Sequence, residues 1–399
     1  MGFSQKIKLR ALDLGFTQVG IVGALPSETH PYYTAWLDAG MAGEMSYLSR
    51  HAPLKRNPQE LLPSAKSVIM LSWNYNSGNS VGGETKQGNG RISQYARKLD
   101  YHNLLRERLD QLSDWIKQNA DESVEVRPVV DSAPFLEREY AVRAGLGWIG
   151  KHSNLIHWEH GSWLFLSGLI VSLQLDPDLP TPPSKYQQIF HNTVGLFNSL
   201  ESCGTCTACI EACPTNAITQ PKQVNATLCI SYLTIELKGP IPIPLRPEIG
   251  NWLFGCDICQ DVCPWNRKAP EGKDQSLGSV TFDGQISPLK LLSMDPETFR
   301  KETKNTPLAR AKRRGLLRNA AIVLGNQFGK YGKKDEEEIK LAFNTLRKAL
   351  KDPEPLVRGA SAWALGQTKY PLAKTLLKDN LAVEENPDVK EELVLAIDK

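Results

Sequence analysis

The chain has 399 residues, 41% hydrophobic and 23% charged, with a net charge of +3. This composition excludes a disordered, fibrous or membrane-embedded chain and describes a soluble globular protein of two or three domains. There is no run of about 18 apolar residues and no apolar signal core after Met1, which predicts a cytoplasmic protein without a membrane anchor.

Residues 1–194 read as an α/β (α+β) domain. Lys6 to Leu14 predicts a helix ended by Gly15, and Thr17 to Val22 and Ser67 to Ser72 predict short buried strands. Residues 77–90 are rich in Gly, Ser and Asn and predict a loop. Apolar residues at Leu104, Leu105, Leu109, Leu112, Trp115 and Ile116 predict a helix over 101–119. Val126 to Val130 and Leu164 to Leu173 complete the strands. Their alternation with helices argues for an α/β layer. Asp131 directly follows a strand, where such folds place chemistry. Ala144 to Asn154 is glycine-dense, and its backbone is expected to approach a large flat ligand.

All eight cysteines lie in the next segment, 195–275. In a reducing compartment, clustered cysteines read as metal ligands rather than disulfides. Cys203-x2-Cys206-x2-Cys209-x3-Cys213-Pro214 matches the bacterial ferredoxin run, whose fourth cysteine ligates the other cluster. Cys256-x2-Cys259-x3-Cys263-Pro264 supplies most of a second run, and Cys229 replaces its missing first member. The spacing therefore predicts a two-cluster ferredoxin-like domain. Cys203, Cys206, Cys209 and Cys263 hold one 4Fe–4S cluster, and Cys213, Cys229, Cys256 and Cys259 hold the other. Two all-cysteine zinc sites are the competing reading, but zinc ribbons use isolated C-x2-C pairs.

Residues 276–399 change character. Leu317 to Gly325 resembles Val357 to Gly366 at a spacing near forty residues, which predicts a HEAT-like helical repeat, and Asn386 to Lys390 opens a third unit. Between residues 300 and 334 stand eleven lysines and arginines against one acid, Glu302. A one-sign block beside a helical repeat points to phosphate binding. Arg310, Lys312, Arg313, Arg314 and Arg318 are the candidates there, and Lys238 is a candidate nearer the cysteines.

No P-loop motif supports a nucleotide cofactor. The combination of motifs resembles the epoxyqueuosine reductase family. The resemblance rests on Val130-Asp131-Ser132-Ala133-Pro134, Gly145 to Lys151, Cys203 to Pro214, and Cys256 to Asn266. Arg91 to Arg97 followed by Asp100-Tyr101-His102 adds to it, although Lys98 departs from the family's usual Gly. The resemblance implies reduction of epoxyqueuosine to queuosine in the tRNA anticodon loop, the last step of queuosine synthesis. It implies cobalamin over the α/β domain, without a protein ligand to cobalt, and Asp131 as proton donor. Arg56, Tyr95, Asp131, Ser153, Asn154, Ser231, Cys256 and Asp257 are its cobalamin-site candidates.

Proton donation requires a protonated carboxyl, so burial of Asp131 against the corrin is expected to raise its pKa. A low-potential electron donor and a monomeric state are further expectations. Two alternatives compete: a two-cluster electron carrier without a catalytic cofactor, and a cobalamin-dependent reductase of a small molecule.

Overall fold

The computed structural model describes residues 1–78, 88–178, 203–272, 284–329, 336–368 and 370–398. The chain divides into two compact units that interleave along the sequence. One holds Met1–Gly82, Asp100–Asn225 and Ile258–Gly278; the other holds Gly83–Leu99, Ala226–Asp257 and Ser279–Lys399. Segment 195–275 thus contributes residues to both. Among the described residues no helix is long and apolar enough to cross a membrane.

The first unit is built on a four-stranded sheet with the order Gln18–Gly23, Ser67–Asn74, Leu164–Val171, Val126–Val130. All four expected strands are present. The run Val68-Ile69-Met70-Leu71 lies in a strand buried along its whole length, as a continuous apolar run requires of a strand covered on both faces. Val126–Val130 lies at the edge, which lets Pro128 sit in a strand without costing an internal ladder bond. Every pairing is antiparallel. This corrects the α/β reading towards α+β: alternating elements do not dictate parallel pairing.

The helix Tyr101–Asn119 matches the periodicity, with Leu105, Leu109, Leu112 and Ile116 buried. Asp100 caps it, its carboxylate accepting the His102 N–H at 3.0 Å. Most of the 77–90 loop, residues 79–87, lies outside the described residues.

The second unit joins a three-stranded sheet (Trp252–Phe254, Gly90–Ile92, Gln285–Ile286) to a run of C-terminal helices that includes Lys312–Gly329, Glu336–Ala349, Pro355–Gln367, Ala373–Val383 and Pro387–Ile397. The repeat expectation is borne out. Gly325 faces Trp363 and Ala364 of the next repeat, and Gly366, its counterpart, faces Ala396 of the one after. Asn386 caps the helix of that third unit by accepting the Val389 N–H at 3.1 Å.

Candidate functional site

In the first unit the edge strand Val126–Val130 ends at Asp131, whose φ of 39° places it in the left-handed region. Aspartate tolerates this conformation better than most residues, and such strain gathers at functional sites. The Tyr101 hydroxyl donates to Asp131 Oδ2 at 2.9 Å, and His102 Nε2 lies 2.9 Å from the same oxygen. Nδ1 of His102 lies 2.6 Å from Asp100 Oδ1. Tyr101 is itself fixed by stacking on Phe165, with ring centroids 3.9 Å apart. Partial burial opposes protonation of His102, but hydrogen bonds and charge from Asp100 and Asp131 push it up to about 9. The side chain of Asp131 is 51% exposed, so the chain alone does not supply the burial expected of it.

Glu137 opens the helix that follows and accepts a hydrogen bond from the Asp131 backbone. Burial, with the charge of Asp131, pushes its carboxyl up to about 8. Its Oε1 is buried without a partner. Corrin side-chain amides both donate and accept, so this edge of the site fits an amide-rimmed ligand. Arg56 is exposed and pairs with Glu60 at 2.8 Å.

Trp148–Ile149 pairs with Leu155–Ile156 in a hairpin. A Cβ at Gly147 would stand 2.1 Å from the Ile156 carbonyl oxygen, and one at Gly150 would stand 2.4 Å from Ile156 Cδ1. Gly147 and Gly150 thus serve the hairpin's own close packing. Ser153, with φ of 64°, and Asn154, whose carbonyl accepts the Gly150 N–H at 2.9 Å, shape the hairpin turn.

From the same turn Lys151 reaches the first cysteine loop. It donates from Nζ to the carbonyls of Gly204 and Cys206 at 2.7 and 2.9 Å. Cys203, Cys206, Cys209 and Cys263 line one small cavity with Lys151, His152 and Trp265. Trp148 packs edge-on to Trp265, centroids 4.8 Å apart, beside buried Ile156 and Cys263. Burial pushes the Cys263 thiol up to about 11, a cost that iron ligation removes. Four converging thiols in a mostly apolar wall are the donor set of a 4Fe–4S cluster. Cys213 and Cys259 belong to this unit, whereas Cys229 and Cys256 belong to the second. Cys213 Sγ already accepts the Ala217 N–H at 3.3 Å, as cluster thiolates commonly do.

In the second unit Asp257 is 3% exposed. It accepts from the Ser93 hydroxyl and, at 2.7 Å, from the Gln94 N–H. Its carboxylate holds the turn that carries Tyr95. Tyr95 lies against Phe254, centroids 6.2 Å apart, and Ser231 and Cys256 are partly buried.

The basic block divides. Lys238, Arg310 and Lys312 are exposed and Arg314 is partly so. Arg310 pairs with Glu236, and Arg313 forms a fork with Asp352 at 3.1 and 2.7 Å. Arg318 is 1% exposed and donates to the carbonyls of Leu233, Leu237 and Gly239. It is a structural residue and no phosphate ligand, a correction to its candidacy. Lys330, Lys333 and Lys334 lie outside the described residues.

Sequence reasoning missed His102, Tyr101, Glu137 and Lys151 as site residues. A signal existed for His102, because Asp100 two residues before it reads as a helix cap that holds the ring.

Three family models match the chain: a 4Fe–4S double cluster binding domain over 202–266, an epoxyqueuosine reductase model over 55–132, and HEAT repeats over 307–398. The chain is 40% identical to the epoxyqueuosine reductase of Escherichia coli, over 91% of this chain and 89% of that one. It is 36% identical to that of Yersinia pestis, over 99% and 96%. Among solved structures it resembles an epoxyqueuosine reductase with a tRNA-Tyr epoxyqueuosine-modified stem loop (27% identity, 99% and 97% coverage, TM-score 0.84). It also resembles the Bacillus subtilis epoxyqueuosine reductase with its catalytic aspartate loop swung out of the active site (26%, 99% and 98%, TM-score 0.83).

Proposed function

This chain belongs to the epoxyqueuosine reductase family, and from that membership we propose that it reduces epoxyqueuosine to queuosine in the tRNA anticodon loop. The observation that carries the reading is Asp131, presented on a left-handed turn between two hydrogen-bonding side chains, in the same unit as a four-thiol cavity. The relative from Bacillus subtilis has a catalytic loop named for an aspartate, and Asp131 of this chain stands on a left-handed turn.

Cys203, Cys206, Cys209 and Cys263 hold one 4Fe–4S cluster, and Cys213, Cys229, Cys256 and Cys259 hold the second. Electrons arrive singly from a low-potential donor. Cobalamin, when bound and reduced, supplies a strong nucleophile or reductant able to deliver them as a pair. Arg56, Tyr95, Asp131, Ser153, Asn154, Ser231 and Cys256 are the residues that would hold it. The turn at 93–97, braced by Asp257, keeps Tyr95 in place. Asp131 hands a proton to the epoxide oxygen as it leaves, lowering the barrier by the usual general-acid effect of about 10²–10⁴-fold.

The exposed cations Lys238, Arg310, Lys312 and Arg314 meet tRNA phosphates. All eight cluster cysteines fall within 195–275, and the HEAT-like segment 276–399 carries most of the tRNA-facing cations. The protein acts in the cytoplasm as a monomer.

The test is anaerobic reconstitution with iron, sulfide and cobalamin, followed by incubation with reductant and tRNA carrying epoxyqueuosine. Mass spectrometry of the digested nucleosides is expected to show loss of one oxygen, dependent on cobalamin. No conversion despite intact clusters and bound cobalamin would move the reading to a small-molecule reductase. No conversion and no cobalamin binding would leave the electron carrier.

A further inference from the structure

Reduction of an epoxide to an alkene breaks both C–O bonds, forms the C=C bond and releases water. It consumes two electrons and two protons. A single carboxyl supplies one proton and is then spent, so Asp131 must be refilled within each turnover.

We infer that His102 is the positioning residue that refills Asp131, passing a proton from Nε2 to Oδ2 across their 2.9 Å contact while Asp100 fixes the ring through Nδ1. The inference rests on Asp131 acting as the donor. The geometry is a line of three groups. Asp100 is anchored as the cap of helix Tyr101–Asn119, so Nδ1 is committed to it and Nε2 is aimed at Asp131. The Tyr101 hydroxyl also donates to Oδ2, 2.9 Å away, so both contacts from this helix end lie on one carboxylate oxygen. The side chain of His102 is 22% exposed, enough to take a proton from water.

The charged groups facing the pair are Asp100 on the His102 side and Lys55, Glu137 and Arg138 around Asp131. The two carboxylates hold His102 charged at neutral pH, up to about 9. The pair therefore shares a mobile proton before substrate arrives. As negative charge develops on the epoxide oxygen, the Nε2 proton passes onto the Asp131 carboxylate, and the carboxyl gives up that proton to the oxygen as its C–O bond breaks. Neutral His102 is recharged from solvent, and the same path delivers the second proton. Each step moves one proton between named atoms, and the two electrons come from the low-potential donor through the clusters.

The test uses the full chain with clusters and cobalamin restored. His102→Gln is expected to lower the single-turnover rate about 10²-fold with the tRNA KM unchanged. His102→Ala is expected to be slow and to regain rate with added imidazole, which a purely structural defect would not allow. A separate readout is an NMR titration of the His102 ring, whose pKa is expected to fall towards the ordinary value of about 6.5 in Asp131→Asn. A wild-type rate for His102→Gln beside an inactive Asp131→Asn overturns the relay and leaves the proposed function standing. Failure of imidazole to restore any rate to His102→Ala likewise overturns it. Full activity of Asp131→Asn removes the donor itself, and the inference falls with it.

Discussion

Lys151 stands 2.9 Å from the carbonyl oxygen of Cys206, with its Nζ also on Gly204, so one buried ammonium ties together the loop between two cluster cysteines. Gly204 and Cys206 are themselves exposed, so it is the buried lysine that holds the loop's backbone in place. A charge-assisted hydrogen bond contributes about 1.5–3 kcal/mol.

Lys151→Met is therefore expected to destabilise the first unit by at least about 2 kcal/mol and to lower cluster occupancy from two towards one per chain. Iron and sulfide analysis with electron paramagnetic resonance checks this. The surviving cluster's midpoint potential gives a second reading, because the variant also removes a positive charge beside the thiolates. Full occupancy at an unchanged potential would show the lysine to be incidental.

The basic block offers a paired prediction, because its members differ in burial. Lys312→Glu and Arg314→Glu reverse charges that solvent reaches, so tRNA affinity is expected to drop while thermal stability holds. Each lost phosphate contact should reduce the slope of log affinity against log salt by about 1. Arg318→Met acts the other way. Three carbonyls in the second unit lose their donor, and a loss on the order of 3–5 kcal/mol is expected. Salt-dependent binding beside calorimetric Tm values separates the two effects.

Arg318 also shows where the sequence ceases to be legible. Its charge fits the one-sign block, but its place on helix Lys312–Gly329 turns it inward to backbone carbonyls that only the fold brings close. The four strands were readable because their apolar runs are local. Their antiparallel order was not, because pairing is decided by partners up to a hundred residues away. The cysteine run was readable because short spacing dictates convergence on one centre. His102 and Glu137 became site residues only when a helix end and a helix start met at Asp131. The crowding of Gly147 and Gly150 by Ile156 was not readable, since close packing leaves no trace in composition.

The pH dependence of stability follows from the same cluster. Glu137, ordinarily near 4.5, is raised to about 8, and His102, ordinarily near 6.5, is raised to about 9. A raised folded-state pKa means the folded chain holds a proton that the unfolded chain releases. Its contribution is complete below the unfolded pKa and is lost as pH rises through the folded one. Stability is thus expected to decline from about pH 4.5 to 8 through Glu137 and from about 6.5 to 9 through His102. Glu137→Gln should remove the lower part of the slope and His102→Gln the upper part. Denaturant titrations across this range on the cluster-free chain check the assignment, and a stability that rises through it would contradict both.

The repeat glycines make the last prediction, on packing alone. Gly325 and Gly315 lie on the same helix, but their surroundings differ. A Cβ at Gly325 would stand 2.6 Å from Trp363 Cζ3 and 3.0 Å from Ala364 Cα, so the neighbouring helix must retreat. Overpacking of this kind costs about 1–3 kcal/mol. A Cβ at Gly315 meets only Ala311 Cβ at 3.6 Å, an ordinary contact. There alanine gains helix propensity worth up to about 1 kcal/mol. Gly325→Ala is expected to lower Tm and Gly315→Ala to hold or raise it, measured by thermal circular dichroism. If both fell equally, helix propensity and inter-repeat crowding would not be what distinguishes the two positions. If the prediction holds, the close approach at Gly325 is what fixes one repeat against the next, and Gly366 does the same against Ala396 one step further along.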